Sequence, residues 1–125
     1  MFALVRVFRR HRAYWWWSCR PSRPEVLQEQ CHKGRYYHCN RIELYTGPYA
    51  LNPIAEVLTS YETSYHYAKS IGLDVNAGHD LDLVNLKPFL DKAPVDEVSI
   101  GHALISDALI DGLDTVTKKY LDLCK

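Results

Sequence analysis

From residue 41 onward, short runs in which apolar and polar positions alternate give way to longer runs of helical period, and the exchange repeats to the end of the chain. Arg41-Ile42-Glu43-Leu44-Tyr45-Thr46 puts Ile42 and Leu44 on one face and Glu43 and Tyr45 on the other; it stops at Gly47-Pro48, which predicts a strand. Asn52-Pro53 then reads as an N-cap followed by proline at the first helical position, where its missing N–H leaves no bond unmade. Ile54, Val57, Leu58, Tyr61, Tyr65 and Ala68 form one apolar stripe, predicting a helix that ends near Ile71 with Gly72 as its stop. Leu73, Val75 and Ala77 alternate with Asp74 and Asn76 in a second predicted strand that runs to Gly78-His79. Asp82 is expected to cap a shorter helix carrying Leu83, Leu86 and Leu90, with Pro88 tolerable only in its first turn. A third strand is predicted at Glu97–His102, where Val98 and Ile100 oppose Ser99 and Gly101. One last helix should run from about Ala103 to Leu123 with Leu104, Ala108, Leu109, Leu113, Val116 and Tyr120 inward. Its acids Asp107 and Asp111 lie early and its Lys118 and Lys119 late, as the helix dipole favours. Strands alternating with helices in this way are the signature of a parallel α/β architecture.

Residues 1–40 do not share the rhythm and remain unassigned to any element. They carry eight Lys/Arg against two acids, whereas residues 41–125 carry seven against thirteen, so the zero net charge is a cancellation between unlike parts. Cys19, Cys31, Cys39 and the triplet Trp15-Trp16-Trp17 also fall there. The apolar start at Met1–Val5 is broken by Arg6, Arg9 and Arg10, so no secretory signal is read and a reduced, cytoplasmic setting is expected. No run approaches the roughly 20 apolar residues of a membrane span. Cys31-His32 and His38-Cys39 lack the paired short spacing of zinc modules, and no metal site is expected. The Arg/Trp segment could also form a basic patch for nucleic acid or a membrane surface.

In parallel α/β proteins the functional groups gather at the C-terminal ends of the strands. The second and third predicted strands both end in Gly-His, at Gly78-His79 and Gly101-His102, where glycine admits a ligand and imidazole can exchange protons near neutral pH. His102 stands where the last helix begins, and backbone N–H groups at a helix start attract anions, so a phosphate-bearing substrate is expected. Glu43 lies on the polar face of its strand; the competing reading for it is an exposed or ion-paired carboxylate. The rival readings of His79 and His102 are a helix cap or a buried structural imidazole.

Three strings go further: Arg41-Ile42-Glu43-Leu44-Tyr45-Thr46-Gly47-Pro48-Tyr49-Ala50, Val75-Asn76-Ala77-Gly78-His79-Asp80-Leu81 and Asp96-Glu97-Val98-Ser99-Ile100-Gly101-His102-Ala103. Together, in this order and spacing, they resemble consecutive segments of the pyridoxine 5'-phosphate synthase family, over about residues 40–125. The resemblance implies a (β/α)8 barrel, of which this chain would hold about three C-terminal βα units. It also implies condensation of 3-amino-2-oxopropyl phosphate with 1-deoxy-D-xylulose 5-phosphate to pyridoxine 5'-phosphate, phosphate and water, the ring-closing step of a vitamin B6 route. Carried over by motif, Glu43 would stabilise charge developing in the transition state and His79 would donate a proton. Asp80, Gly101 and His102 would bind the aminooxopropyl phosphate. Many relatives have glycine at the position of Asp80.

The resemblance implies no cofactor, phosphorylated small molecules as the only ligands, neither nucleic acid nor membrane as partner, and a homo-oligomer for the intact enzyme. A complete barrel usually needs roughly 200 residues or more, and this chain has 125. The family's catalytic histidine and glutamate bases from the first barrel half have no counterpart here. The abrupt join near Asn40 suggests a truncated or frameshifted gene product, catalytically inactive alone. Other readings are a non-catalytic remnant or interaction module with a basic aromatic head, or another phosphate-binding barrel enzyme such as an isomerase or aldolase. The lack of a strand-borne lysine argues mildly against a Schiff-base aldolase.

Overall fold

Three parallel strands form where the alternation is cleanest, and a helical segment follows each. A computed structural model describes residues 5–6, 16–19 and 40–125. In chain order the elements are β1 (Val5–Arg6), β2 (Trp16–Cys19), β3 (Arg41–Tyr45), α1 (Gly47–Leu51), α2 (Ala55–Ser70), β4 (Asp74–Gly78), α3 (Leu86–Lys92), β5 (Glu97–Ile100), α4 (His102–Asp111) and α5 (Leu113–Leu123). The sheet order is β1-β5-β4-β3-β2, all pairs parallel except β1 with β5. The chain is thus mixed α/β with a small, mainly parallel sheet.

Two strands come from the first 40 residues, to which the hydrophobic pattern assigned no element. Strands of two and four residues are too short for a period-2 signal to register. Trp16 and Trp17 of the triplet lie in β2 and Arg6 of the basic cluster in β1. Trp15, Arg9, Arg10, Cys31-His32 and His38-Cys39 lie outside the described residues.

The core sits between one face of the sheet and the helices. Ile42, Leu44, Val75, Ala77, Val98 and Ile100 all point that way and are buried, together with Tyr61 and Ala68 of α2, Leu86 and Phe89 of α3, Leu104 of α4 and Val116 and Tyr120 of α5. Burial of each large side chain contributes about 1.5–3 kcal/mol. Tyr49, Tyr61 and Phe89 form an aromatic cluster with ring centroids 5.5–6.3 Å apart, tying α1, α2 and α3 together.

Several boundaries depart from the sequence expectation. Pro48 does not end β3 in a loop; it sits in the first turn of α1, where proline is tolerated, and Asn52 closes that helix by donating to the carbonyls of Pro48 and Tyr49. Asn52 is therefore no N-cap for α2, which starts at Ala55 behind an extended Ile54, itself exposed. The C-terminus of α2 is as expected: Leu73 N–H donates to Ala68 O and Gly72 N–H to Lys69 O, the paired bonds of a Schellman turn. Asp82 caps the turn into α3, its Oδ1 accepting from the N–H groups of Val84 and Asn85, and Pro88 falls in the first turn of that helix.

The last helix is two helices. Gly112, at φ 83 and ψ 143, occupies a backbone region that side-chain-bearing residues avoid, and the axis breaks there. The stripe drawn through a single helix therefore loses phase. Leu104, Val116 and Tyr120 are buried as expected and Ala108 packs against the core, but Leu109 and Leu113 are 84% and 58% exposed. Among the described residues no helix is long and apolar enough to cross a membrane.

Candidate active site

The residues between the core positions face the opposite side of the sheet, and they are polar. Register places Glu43, Asn76 and Glu97 side by side across β3, β4 and β5, with Gly78 beside Ser99 one step further along. Arg41 Nη1 donates to Glu97 Oε2 at 2.6 Å, and Arg41 Nη2 lies 3.5 Å from Asp74 Oδ2. Asn76 is fully buried. Neither polar atom of its amide, nor the Ser99 hydroxyl, has a hydrogen-bond partner among the described residues. Such unsatisfied groups are rare in folded proteins and collect where chemistry is done.

Glu43 is half-buried in this row. Burial, and then repulsion from Glu97, push its pKa above the ordinary glutamate value, while the nearby His79 pulls the other way. The carboxyl is held closer to its protonated form than a free glutamate would be. Gly78 makes room for it: a Cβ there would stand 2.7 Å from Glu43 Oε1 and 3.0 Å from the Ser99 Cβ, so any larger residue would displace the carboxyl. Gly-His at this strand end thus reflects a close approach inside the protein.

His79 and Asp80 follow directly, both with positive φ, 97° and 58°. Such angles are uncommon outside glycine and strained for a histidine. His79 Nδ1 lies 2.8 Å from Asp80 Oδ2, and its ring stands 4.5 Å, centroid to centroid, from the Tyr45 ring at 58°. Thr46 Oγ1–H donates to His79 O at 2.6 Å. Asn85 Nδ2–H donates to Asp80 O at 3.1 Å.

The structure brings Glu43, His79 and Asp80 together. Gly101 and His102 stand at the same end of the neighbouring strand, Gly101 as N-cap of α4 and His102 as its exposed first residue, and neither bonds to those three among the described residues. No side chain caps α4 and its first turn carries no acid, so the leading N–H groups are open to an anion. The hydrophobic pattern did not find Thr46, Asn76 or Asn85. Thr46 lies one residue past its strand, and the only available signal for Asn85 was its capping distance from Asp82. A separate hollow lies at the opposite ends of the strands, lined by Lys87, Leu90, Val95, Glu97, Leu123 and Cys124. Strained backbone and titratable side chains converge at the C-terminal ends instead, which makes that end the candidate site. Among the described residues no group of three or more His, Cys, Asp or Glu could hold a metal ion.

Comparison with known proteins bears on this arrangement. A pyridoxine 5'-phosphate synthase of Xylella fastidiosa (strain M12) is 46% identical over 113 residues, covering 86% of this chain and 44% of the relative. The proteins of the same name from Porphyromonas gingivalis and Bacteroides thetaiotaomicron are 49% and 47% identical over 87 and 102 residues, covering 66% and 78% of this chain and 37% and 41% of theirs. The chain thus spans less than half the length of these curated relatives. The family model described as "Pyridoxal phosphate biosynthesis protein PdxJ" matches residues 25–125, beginning ahead of the first motif legible in the sequence. Residues 25–125 carry β3, β4 and β5 with the strand ends of the candidate site, and the chain belongs to the PdxJ family.

Proposed function

We propose that this chain is the C-terminal portion of a pyridoxine 5'-phosphate synthase, joining 3-amino-2-oxopropyl phosphate and 1-deoxy-D-xylulose 5-phosphate into pyridoxine 5'-phosphate with release of phosphate and water. The observation that supports this reading is that His79-Asp80 and Gly101-His102 follow the C-terminal ends of two adjacent parallel strands, with Glu43 on the polar face of the third beside Gly78. In it, the three βα units belong to a (β/α)8 barrel and the polar face of the sheet is the barrel interior. The intact enzyme self-associates and works in the cytoplasm on small phosphorylated molecules alone.

Ring closure with loss of water needs a proton delivered to a departing oxygen and a counter-charge for imine-like cationic character. His79 Nδ1 lies 2.8 Å from the Asp80 carboxylate, which leaves Nε2 as the ring nitrogen to face the substrate. The Glu43 carboxyl, beside Gly78 and in reach of the His79 charge, faces developing positive charge when ionised. The N–H groups at the start of α4, with Gly101 and His102, bind the phosphate of the aminoketone, and Asp80 contacts the same substrate.

Titration of the purified chain with 3-amino-2-oxopropyl phosphate, followed through the amide resonances of Asp80, Gly101 and His102, tests the assignment. Saturable displacement of these three is expected, with inorganic phosphate moving only Gly101 and His102. An unchanged spectrum at millimolar ligand overturns the reading. A coupled assay with both substrates checks separately the expectation that the chain alone does not turn over.

A further inference from the structure

Among the described residues the two non-glycine residues with positive φ are consecutive, and separate loops grip the carbonyls of both. Thr46 holds His79 O through its hydroxyl at 2.6 Å and, through its own N–H, holds Gly78 O at 2.9 Å. Asn85 holds Asp80 O through Nδ2 at 3.1 Å. Neither loop is loose. Thr46 is fully buried, and the preceding carbonyl, Tyr45 O, accepts the Tyr61 hydroxyl at 2.8 Å. Asn85 is buried, its carbonyl accepts the Tyr49 hydroxyl at 2.9 Å, its Oδ1 accepts Asp82 N–H at 2.9 Å, and its own N–H donates to Asp82 Oδ1 at 2.8 Å. Tyr49 and Tyr61 belong to the aromatic cluster. Continuous contacts therefore lead from the core, through two tyrosine hydroxyls, to the peptide units of His79 and Asp80.

We propose that Thr46 and Asn85 are positioning residues, a two-sided clamp that holds His79-Asp80 in its left-handed backbone and so keeps the imidazole against the Tyr45 ring. The physical reason is that positive φ is unfavourable for residues bearing a Cβ and persists only where the surroundings over-determine it. A hydroxyl on one carbonyl and an amide on the next fix the two peptide planes that flank the strained Asp80 Cα. Released from either, the segment would relax toward negative φ and carry the imidazole away from Tyr45 and Glu43. The role of His79 in catalysis rests on the function proposed above; the clamp itself does not.

The test reads the His79 ring directly. In the full chain its carbon-bound protons should carry a ring-current shift from the Tyr45 ring and show cross-relaxation to it, as the 4.5 Å centroid separation predicts. Thr46→Val, which keeps shape and loses the donor, is expected to abolish both signals. Thr46→Ser should retain them, and Asn85→Asp, which keeps the Asp82 acceptor and loses Nδ2–H, should weaken them. A folded Thr46→Val variant with unchanged His79 signals overturns the clamp. So that a misfolded variant does not decide the matter, the wild-type Thr46 hydroxyl proton is measured as well: slow exchange with solvent is expected, and rapid exchange overturns the proposal. If these signals behave as expected while 3-amino-2-oxopropyl phosphate fails to bind, the clamp stands and the proposed function falls.

Discussion

The helix-facing and opposite faces of the sheet are built from alternate residues of the same three strands, yet different forces hold them. On the first, Ile42, Leu44, Val75, Ala77, Val98 and Ile100 are removed from water in one apolar core cluster. On the second, Arg41 and Glu97 form an ion pair with side chains only 12% and 3% exposed, next to the half-buried Glu43 and the Asn76 amide, which has no partner among the described residues. A buried ion pair adds little net stability, because desolvation offsets most of the attraction. The first face therefore makes the fold, and the second is tolerated by it. Polar groups kept buried at no gain in stability point to chemistry on that side.

The largest expected effect comes from breaking the polar face at its pair. Arg41→Met leaves Glu97 buried without that partner and should cost about 3–5 kcal/mol in denaturant unfolding at neutral pH, most of it regained in Arg41→Met/Glu97→Leu. A loss below about 1 kcal/mol in the single variant would mean that this face is solvated after all. Leu44→Ala on the other face should cost about 2–5 kcal/mol as a cavity, with no recovery from any charge change nearby.

Smaller effects sharpen the contrast near the site. Asp80→Gly relieves a φ of 58° and loses a contact to His79 whose side chains are both about half exposed, so a net gain of about 1 kcal/mol and a slightly higher melting temperature are expected. Glu43→Gln should act in a pH-dependent way. Because the folded-state pKa of Glu43 is raised, the unfolded chain releases this proton first as pH rises, and the folded state loses stability from the ordinary glutamate range up through the raised value. The variant is therefore more stable than the parent at neutral pH, and the gap closes on acidification below the ordinary value. A pH-independent difference would remove burial of the carboxyl as its cause.

Thr46 and Asn85 show where reading the chain as a string stops. Both are small polar residues in loops, of a kind found in any turn, and their partners lie 33 and 5 residues away. Glu43 and the Gly-His strand ends were accessible because period 2 and the helix start fix their side and their end of the sheet. Their assembly was not, since the contact between Glu43 and Gly78 depends on the register of two strands brought side by side by α2.

By itself the order of residues determined the three parallel strands, the helices that cover them, the polar face that carries the candidate chemistry, and the family. These follow from local periodicity and contiguous motifs, which every stretch of chain carries within itself. Only the tertiary structure decided that Asn76 is buried with no partner for its amide among the described residues, that Gly112 splits the last helix and turns Leu109 and Leu113 outward, and that β1 and β2 take the two edges of the sheet. The reason is the same in each case. Burial, backbone strain and edge pairing are properties of surfaces that meet, and they acquire a value only once distant segments are packed against one another.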